Sequence, residues 1–231
     1  PMPFYIEGHC LYEGVDLDRD EFLEKLKEGA DVSTSQPSPV EVTALWDRVL
    51  SEYEKVLYMP ISSGLSGSCE TAYALTRDEK YEGRVLVVDH GQVATPLHRM
   101  VLDALELVEK GYTAEEIREL LERASDQMMI YIGVQTLEYL KKGGRITPAA
   151  AALGAVFNIK PVLKLATGKL DSFKKCHGFL KARKIMIEAM KHEIETRFQE
   201  AYEAGAVHIL AASSASEAET ESWVKEIQES R

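Results

Sequence analysis

Residues 61–68 read ISSGLSGS, four serines and two glycines set where an apolar run, Val56 to Ile61, gives way to a segment of helical character. Ser62, Ser63, Ser66 and Ser68 bring neutral hydroxyl donors. Gly64 and Gly67 allow a tight path and a close backbone approach to a ligand. A helix starting just beyond would add unpaired amides and the positive end of its dipole, so the chemistry on offer is anion binding. The loop has no lysine like that of a phosphate-binding P-loop, and its glycine spacing is not GxGxxG. A carboxylate or a single phosphate therefore fits better than a nucleotide. On composition alone the plainer reading is a strand-to-helix connection with serine at the N-cap. Serine hydrolysis is not supported. G-L-S-G lacks the G-x-S-x-G form, and none of the six histidines stands at a spacing that assigns a base to a serine.

Two further polar loops carry candidate residues. STSQPSP, residues 33–39, clusters Thr34, Ser35 and Gln36 just before a helix start. KKGGRIT, residues 141–147, joins Lys141, Lys142 and Arg145 to two glycines. Alone, the first is ordinary capping chemistry and the second a helix C-cap with favourable charges.

Short apolar runs that could position these loops predict strands at 3–6, 55–60, 84–89, 128–134, 158–165 and 206–213. Ser38-Pro39-Val40-Glu41 and Thr113-Ala114-Glu115-Glu116 are capping boxes that predict helix starts. Thr147-Pro148 opens a small-residue helix, AAAALGAVF, and Gly143-Gly144 caps the helix TLEYLKK. A long helix is expected from about Phe179 to Tyr202, and a hairpin turning at Thr167-Gly168. The alternation predicts an α/β fold with a largely parallel sheet and crossover helices. A change of character near residues 125–135 divides it into an α/β domain over 1–130, carrying the first two loops, and a second over 131–231, carrying the third.

With 231 residues, 45% apolar, the chain can build one or two ordinary cores. It begins at Pro1 and ends just after an amphipathic run, and is expected to be part of a longer protein. No apolar run approaches the ~20 residues that span a bilayer. Cys10, Cys69 and Cys176 form neither a disulfide framework nor a zinc motif, so a reducing cytoplasm is expected. A net charge of −11 argues against a general nucleic-acid binder. Between Lys141 and Lys184, however, stand eleven Lys or Arg and one acid, Asp171. That stretch is either a solvated basic face or a docking surface for an anion or acidic partner.

Taken together and in order, TSQPSP, ISSGLSGS and YLKKGGRIT closely resemble the DegV family of fatty-acid-binding proteins. VVD at the end of the third strand, AAALGAVFNIKPVL and the GKL turn match as well, so the likeness runs from about Pro3 to about Arg231. There are departures. SGSCETA stands where the family usually has SGTYQSA, VVDH, with His90, where it has VVDS, and KKCHGFLKARK is looser than its basic run. The family's opening strand and its C-terminal segment, with a His-Thr-Gly-Pro-Gly-like loop, have no counterpart in this sequence.

The resemblance implies a two-domain α/β protein holding one long-chain fatty acid in a buried tunnel between domains. The carboxylate would be bound by Thr34 and Ser63, with Ser62, Gly64 and Ser66 near. It also implies a partner, a separate ATP-binding fatty acid kinase that makes acyl phosphate, the chain itself being no enzyme and needing no cofactor or metal. Ser35, Lys141, Lys142 and Arg145 would lie near the head group or contact the kinase. Ala149 to Phe157, Ile159, Val162, Leu163, Met128, Met129 and Ile130 are tunnel candidates, although plain core packing suits most of them better. Met100, Met186, Met190, Trp46 and Trp223 read first as core. The competing reading is a small-molecule phosphotransferase or hydrolase using the Ser-Gly loop as an anion site. It lacks a recognisable base, metal cluster or nucleotide loop. A nucleic-acid reading of the basic stretch lacks interleaved aromatics, Phe157, Phe173 and Phe179 being too sparse.

Overall fold

The structure, a computed structural model, describes residues 2–152, 159–166 and 169–230. The chain opens with a hairpin of β1 (Pro3–Ile6) and β2 (His9–Tyr12). Its turn, Glu7-Gly8, has φ of 50° and 80°, the mirror-image turn whose twist suits paired strands. Helix α1 (Arg19–Lys27) starts on an Asp18–Glu21 capping box. Strand β3 (Val32–Thr34) then pairs antiparallel with the far side of β1, Thr34 opposite Phe4, giving the order β2-β1-β3.

Helix α2 (Pro39–Leu50) begins at the expected Ser38–Glu41 box with Pro39 in its first turn. Strands β4 (Val56–Tyr58) and β5 (Val85–Val87) pair in parallel, joined through α3 (Ser68–Leu75). Trp46 of α2 is fully buried here and meets Tyr58 and Tyr81 edge-on, with centroids 5.3 and 5.2 Å away. Helix α4 (Ala94–Glu109) and helix α5 (Ala114–Ala124), the latter on its Thr113–Glu116 box, close a second cluster around Val88, Met100, Ile117 and Leu121.

A 3₁₀ turn, Ser125–Gln127, leads into β6 (Tyr131–Gly133), α6 (Glu138–Gly143) and α7 (Pro148–Ala151). Strands β7 (Ile159–Ala166) and β8 (Lys169–His177) complete an antiparallel sheet of order β6-β7-β8. Successive side chains of β7 serve opposite faces. Leu163 and Leu165 join Leu137, Ile146 and Ala150, while Val162 joins Ala182 and Met186 of α8 (Phe179–Glu195). Helices α9 (Gln199–Glu203) and α10 (Glu217–Glu229) follow, and Trp223 packs on the α8 side.

The α/β class holds, and among the described strands the one parallel ladder is that of β4 and β5, with isolated parallel bridges at Glu13–Leu17 and Ile146–Leu170. Residues 206–213 form no strand. Their composition suits one, but a strand needs a neighbour to pair with, and no described strand offers one. The long helix is interrupted after Glu195, where the Thr196 hydroxyl donates to the His192 carbonyl at 2.6 Å and the Phe198 amide reaches back to Glu193 at 2.9 Å. The turn at Thr167-Gly168, and the small-residue helix from Leu153 onward, lie outside the described residues. Met100 and Met186 are buried, as expected of core residues.

Candidate functional site

The Ser-Gly loop leaves the C-terminal end of β4 as a tight turn organised by Ser62. The Ser62 carbonyl accepts from the amides of Leu65 and Ser66 at 2.9 and 3.1 Å, and its hydroxyl accepts from the Gly64 amide at 3.2 Å. The Ser62 amide donates to the Gln92 carbonyl at 2.9 Å, anchoring the turn to the segment after β5. Ser62 itself is 1% exposed. Ser66 closes the turn onto α3, its hydroxyl accepting from the Ser68 amide at 3.2 Å and lying 2.9 Å from the Ser68 hydroxyl. Ser63, at the tip, is exposed and hydrogen-bonds to no described residue.

The first loop packs against the second through Gln36. Its amide nitrogen donates to the Thr71 hydroxyl at 2.8 Å, and its carbonyl oxygen would stand 2.8 Å from a Cβ on Gly67. Only glycine admits that approach, which is far closer than van der Waals contact. The Ser35 amide donates to the Pro3 carbonyl at 3.2 Å, and Thr34 is exposed at the end of β3.

The third loop meets the second through Arg145. Gly144, with φ of 66°, caps α6 in the left-handed region that glycine tolerates. The Leu170 amide then donates to the Arg145 carbonyl at 3.3 Å and the Thr147 amide to the Leu170 carbonyl at 3.0 Å, tying residues 145–147 to β8. Arg145 donates from Nε to the Leu65 carbonyl at 3.3 Å and from Nη1 to the Gly143 carbonyl. Lys142 forms an ion pair with Asp31, and the Tyr139 hydroxyl donates to the Leu26 carbonyl at 3.1 Å. Lys141 is exposed. The structure thus brings Ser62, Ser63, Gly64 and Ser66 onto one turn and sets Arg145 against it. Lys142 is turned toward the end of α1 instead.

Sequence reasoning missed His90, Gln92 and Ser125, which lie behind the turn. VVDH carried the one available signal, a histidine where the family has serine. His90 is fully buried, and burial holds its imidazole below its ordinary range against the opposing pull of the Pro60 backbone and Asp89. Cys69, at the start of α3, is 1% exposed, and burial, aided by Asp89 and Glu122, pushes its thiol up to about 12.

Two clefts lie away from this site. One of about 310 Å³ runs along β5 between Tyr73 and Arg118, and one of about 650 Å³ lies between the first hairpin and the end of α1. Of the tunnel candidates, Val162 and Leu163 are 0% exposed within two separate clusters, and Met128 and Ile130 are partly buried. Residues 153–158 lie outside the described residues. Among the described residues no group of His, Cys, Asp or Glu is placed to hold a metal, and no helix is long and apolar enough to cross a membrane.

A DegV domain-containing protein of Deinococcus radiodurans is 35% identical over 196 residues, 84% of this chain and 69% of that protein. The solved structure of a DegV family protein from Thermus thermophilus, described by its fatty acid binding, matches with a TM-score of 0.76 at 34% identity, over 85% of this chain and 70% of that one. DegV of Bacillus subtilis, described as a fatty acid binding protein, matches with a TM-score of 0.72 at 26% identity, over 84% and 70%. The model of the family described as "Uncharacterised protein, DegV family" matches residues 1–230, and the chain belongs to that family.

Proposed function

We propose that this chain binds one long-chain fatty acid and presents its carboxylate to a separate ATP-using kinase, acting as a carrier and not as a catalyst. The acyl tail would lie between the domains expected over 1–130 and 131–231, and the head group at the Ser-Gly turn. One observation carries this reading. Ser63 is exposed and engaged by no described residue, on a turn whose neighbouring groups are satisfied internally. That arrangement reserves one hydroxyl for an outside acceptor. Thr34, exposed at the end of β3, is the second donor we assign, with Ser62, Gly64 and Ser66 shaping the seat. We assign Ser35, Lys141 and Arg145 to its rim, where they would face the head group or the kinase, while Lys142, paired with Asp31, would face the kinase alone. The relatives from Thermus thermophilus and Bacillus subtilis, described as binding fatty acids, support the ligand class.

The energetics suit the assignment. A chain of about sixteen carbons buries roughly fifteen methyl(ene) groups, about 12 kcal/mol gross, much of it offset by association and ordering costs. The head group then has only to set orientation. Neutral hydroxyls can solvate a carboxylate without a buried ion pair that would resist its phosphorylation.

The test is to denature the purified protein, extract it with organic solvent and weigh the extract by mass spectrometry. One long-chain fatty acid per chain is expected. A stoichiometric nucleotide in its place would overturn the reading in favour of a phosphotransferase.

A further inference from the structure

We infer that His90 is the positioning residue of the head-group seat. Through Gln92 it fixes the backbone of Ser62, and with it the direction in which Ser63 presents its hydroxyl. This rests on the fatty-acid reading of the turn.

Two hydrogen bonds connect the ring to the loop. His90 Nδ1 accepts from the Gln92 amide at 3.0 Å, and the Gln92 carbonyl accepts from the Ser62 amide at 2.9 Å. With Nδ1 accepting, the neutral ring carries its proton on Nε2, a buried atom with no hydrogen-bond partner among the described residues. The contact is one that Asp, Asn or Ser side chains often make, to the amide two residues on. Imidazole supplies the same acceptor on a larger ring that fills the interior at 0% exposure.

The segment that carries the ring is held from behind as well. The Ser125 hydroxyl donates to the His90 carbonyl at 2.6 Å, and the Gln92 side-chain amide donates to the Ser125 carbonyl at 3.1 Å. Gly91, at φ of 63°, permits the fold-back, and a Cβ there would stand 3.2 Å from the Ser125 hydroxyl. Every backbone group of residues 90–92 named here is therefore committed, and the Ser62 amide is tied to them. Ser63 makes no hydrogen bond to a described residue, so its orientation is inherited in turn. An apolar side chain at position 90 would strand the Gln92 amide in the interior and release the turn.

The experiment compares full-length His90→Leu, which removes the acceptor, with His90→Asn, which restores one, against the parent chain. Two readouts are taken: backbone amide resonances of Ser63 and Gly64 without ligand, and the carboxyl ¹³C resonance of bound [1-¹³C]palmitate. His90→Leu is expected to move both and to speed palmitate release roughly tenfold, the effect of about one hydrogen bond. His90→Asn is expected to return both to the parent values. Amide resonances unchanged in His90→Leu, or equally displaced in both variants, would overturn the inference. Should His90→Leu not fold, displaced resonances in folded His90→Asn overturn it by themselves. If the parent chain takes up no palmitate while the amides respond as expected, the fatty-acid reading fails and the positioning role stands.

Discussion

Arg145 donates to the Leu65 carbonyl across 3.3 Å, while the Leu65 side chain packs on the cluster of Leu137, Ile146 and Leu163. The second and third loops, eighty residues apart in sequence, are held by one polar and one apolar contact. Arg145→Met keeps the aliphatic stem and loses the donors. Its denaturant midpoint should fall by the equivalent of about 1 kcal/mol, with less fatty acid recovered on extraction. An unchanged midpoint would show that the guanidinium bond contributes nothing to joining the loops.

Ser63→Ala removes an exposed hydroxyl without described partners. Stability should stay within about 0.5 kcal/mol of the parent, as for surface changes that break nothing. Acyl phosphate formation with a kinase supplied should fall much further than fatty acid retention, since the tail provides most of the affinity. Equal and total loss of both would count against hydroxyl orientation of the head group.

Gly67 has an ordinary φ of −72°, so alanine meets no backbone obstacle there. Its Cβ would still stand 2.8 Å from the Gln36 side-chain oxygen. Gln36, whose flexible end is the obstacle, must swing away and lose Thr71, at a cost of about 1 kcal/mol for that hydrogen bond. Adding Gln36→Ala should recover part of the loss, and a double-mutant cycle from urea unfolding measures the coupling. Strict additivity would mean that the two residues do not meet.

Cys69 is the pH-sensitive group on the first turn of α3. Its folded thiol is raised from about 9 to about 12 by burial, with Asp89 and Glu122 adding to the shift. In that window the unfolded chain loses the proton that the folded chain keeps, so stability falls as pH rises and is complete below it. Unfolding midpoints measured from pH 8 to 11 should decline in the parent and decline less in Cys69→Ala. At pH 8 a thiol reagent should reach exposed Cys10 well before buried Cys69 and Cys176. Rapid reaction at all three would contradict the burial of Cys69.

Local signals were legible in the sequence. The capping boxes at Ser38 and Thr113 and the left-handed cap at Gly144 sit where their residues predict, because donor, acceptor and conformational freedom all lie within four residues. Strand β2 was missed because its four residues are half polar, and its Glu7-Gly8 turn carries an uncommon first residue. Residues 206–213 had strand composition without a neighbour, and propensity alone cannot supply one.

By itself, then, the sequence determined the α/β alternation, the helix starts, and the three polar loops whose order carried the family resemblance. Only the tertiary structure decided that Gln36 meets Gly67, that Arg145 meets Leu65, and that His90 holds Ser62 through Gln92. These contacts join residues about thirty to eighty positions apart. No local rule encodes such a pairing, since it exists only once separate strands and helices have buried their apolar faces and brought the loops to one place.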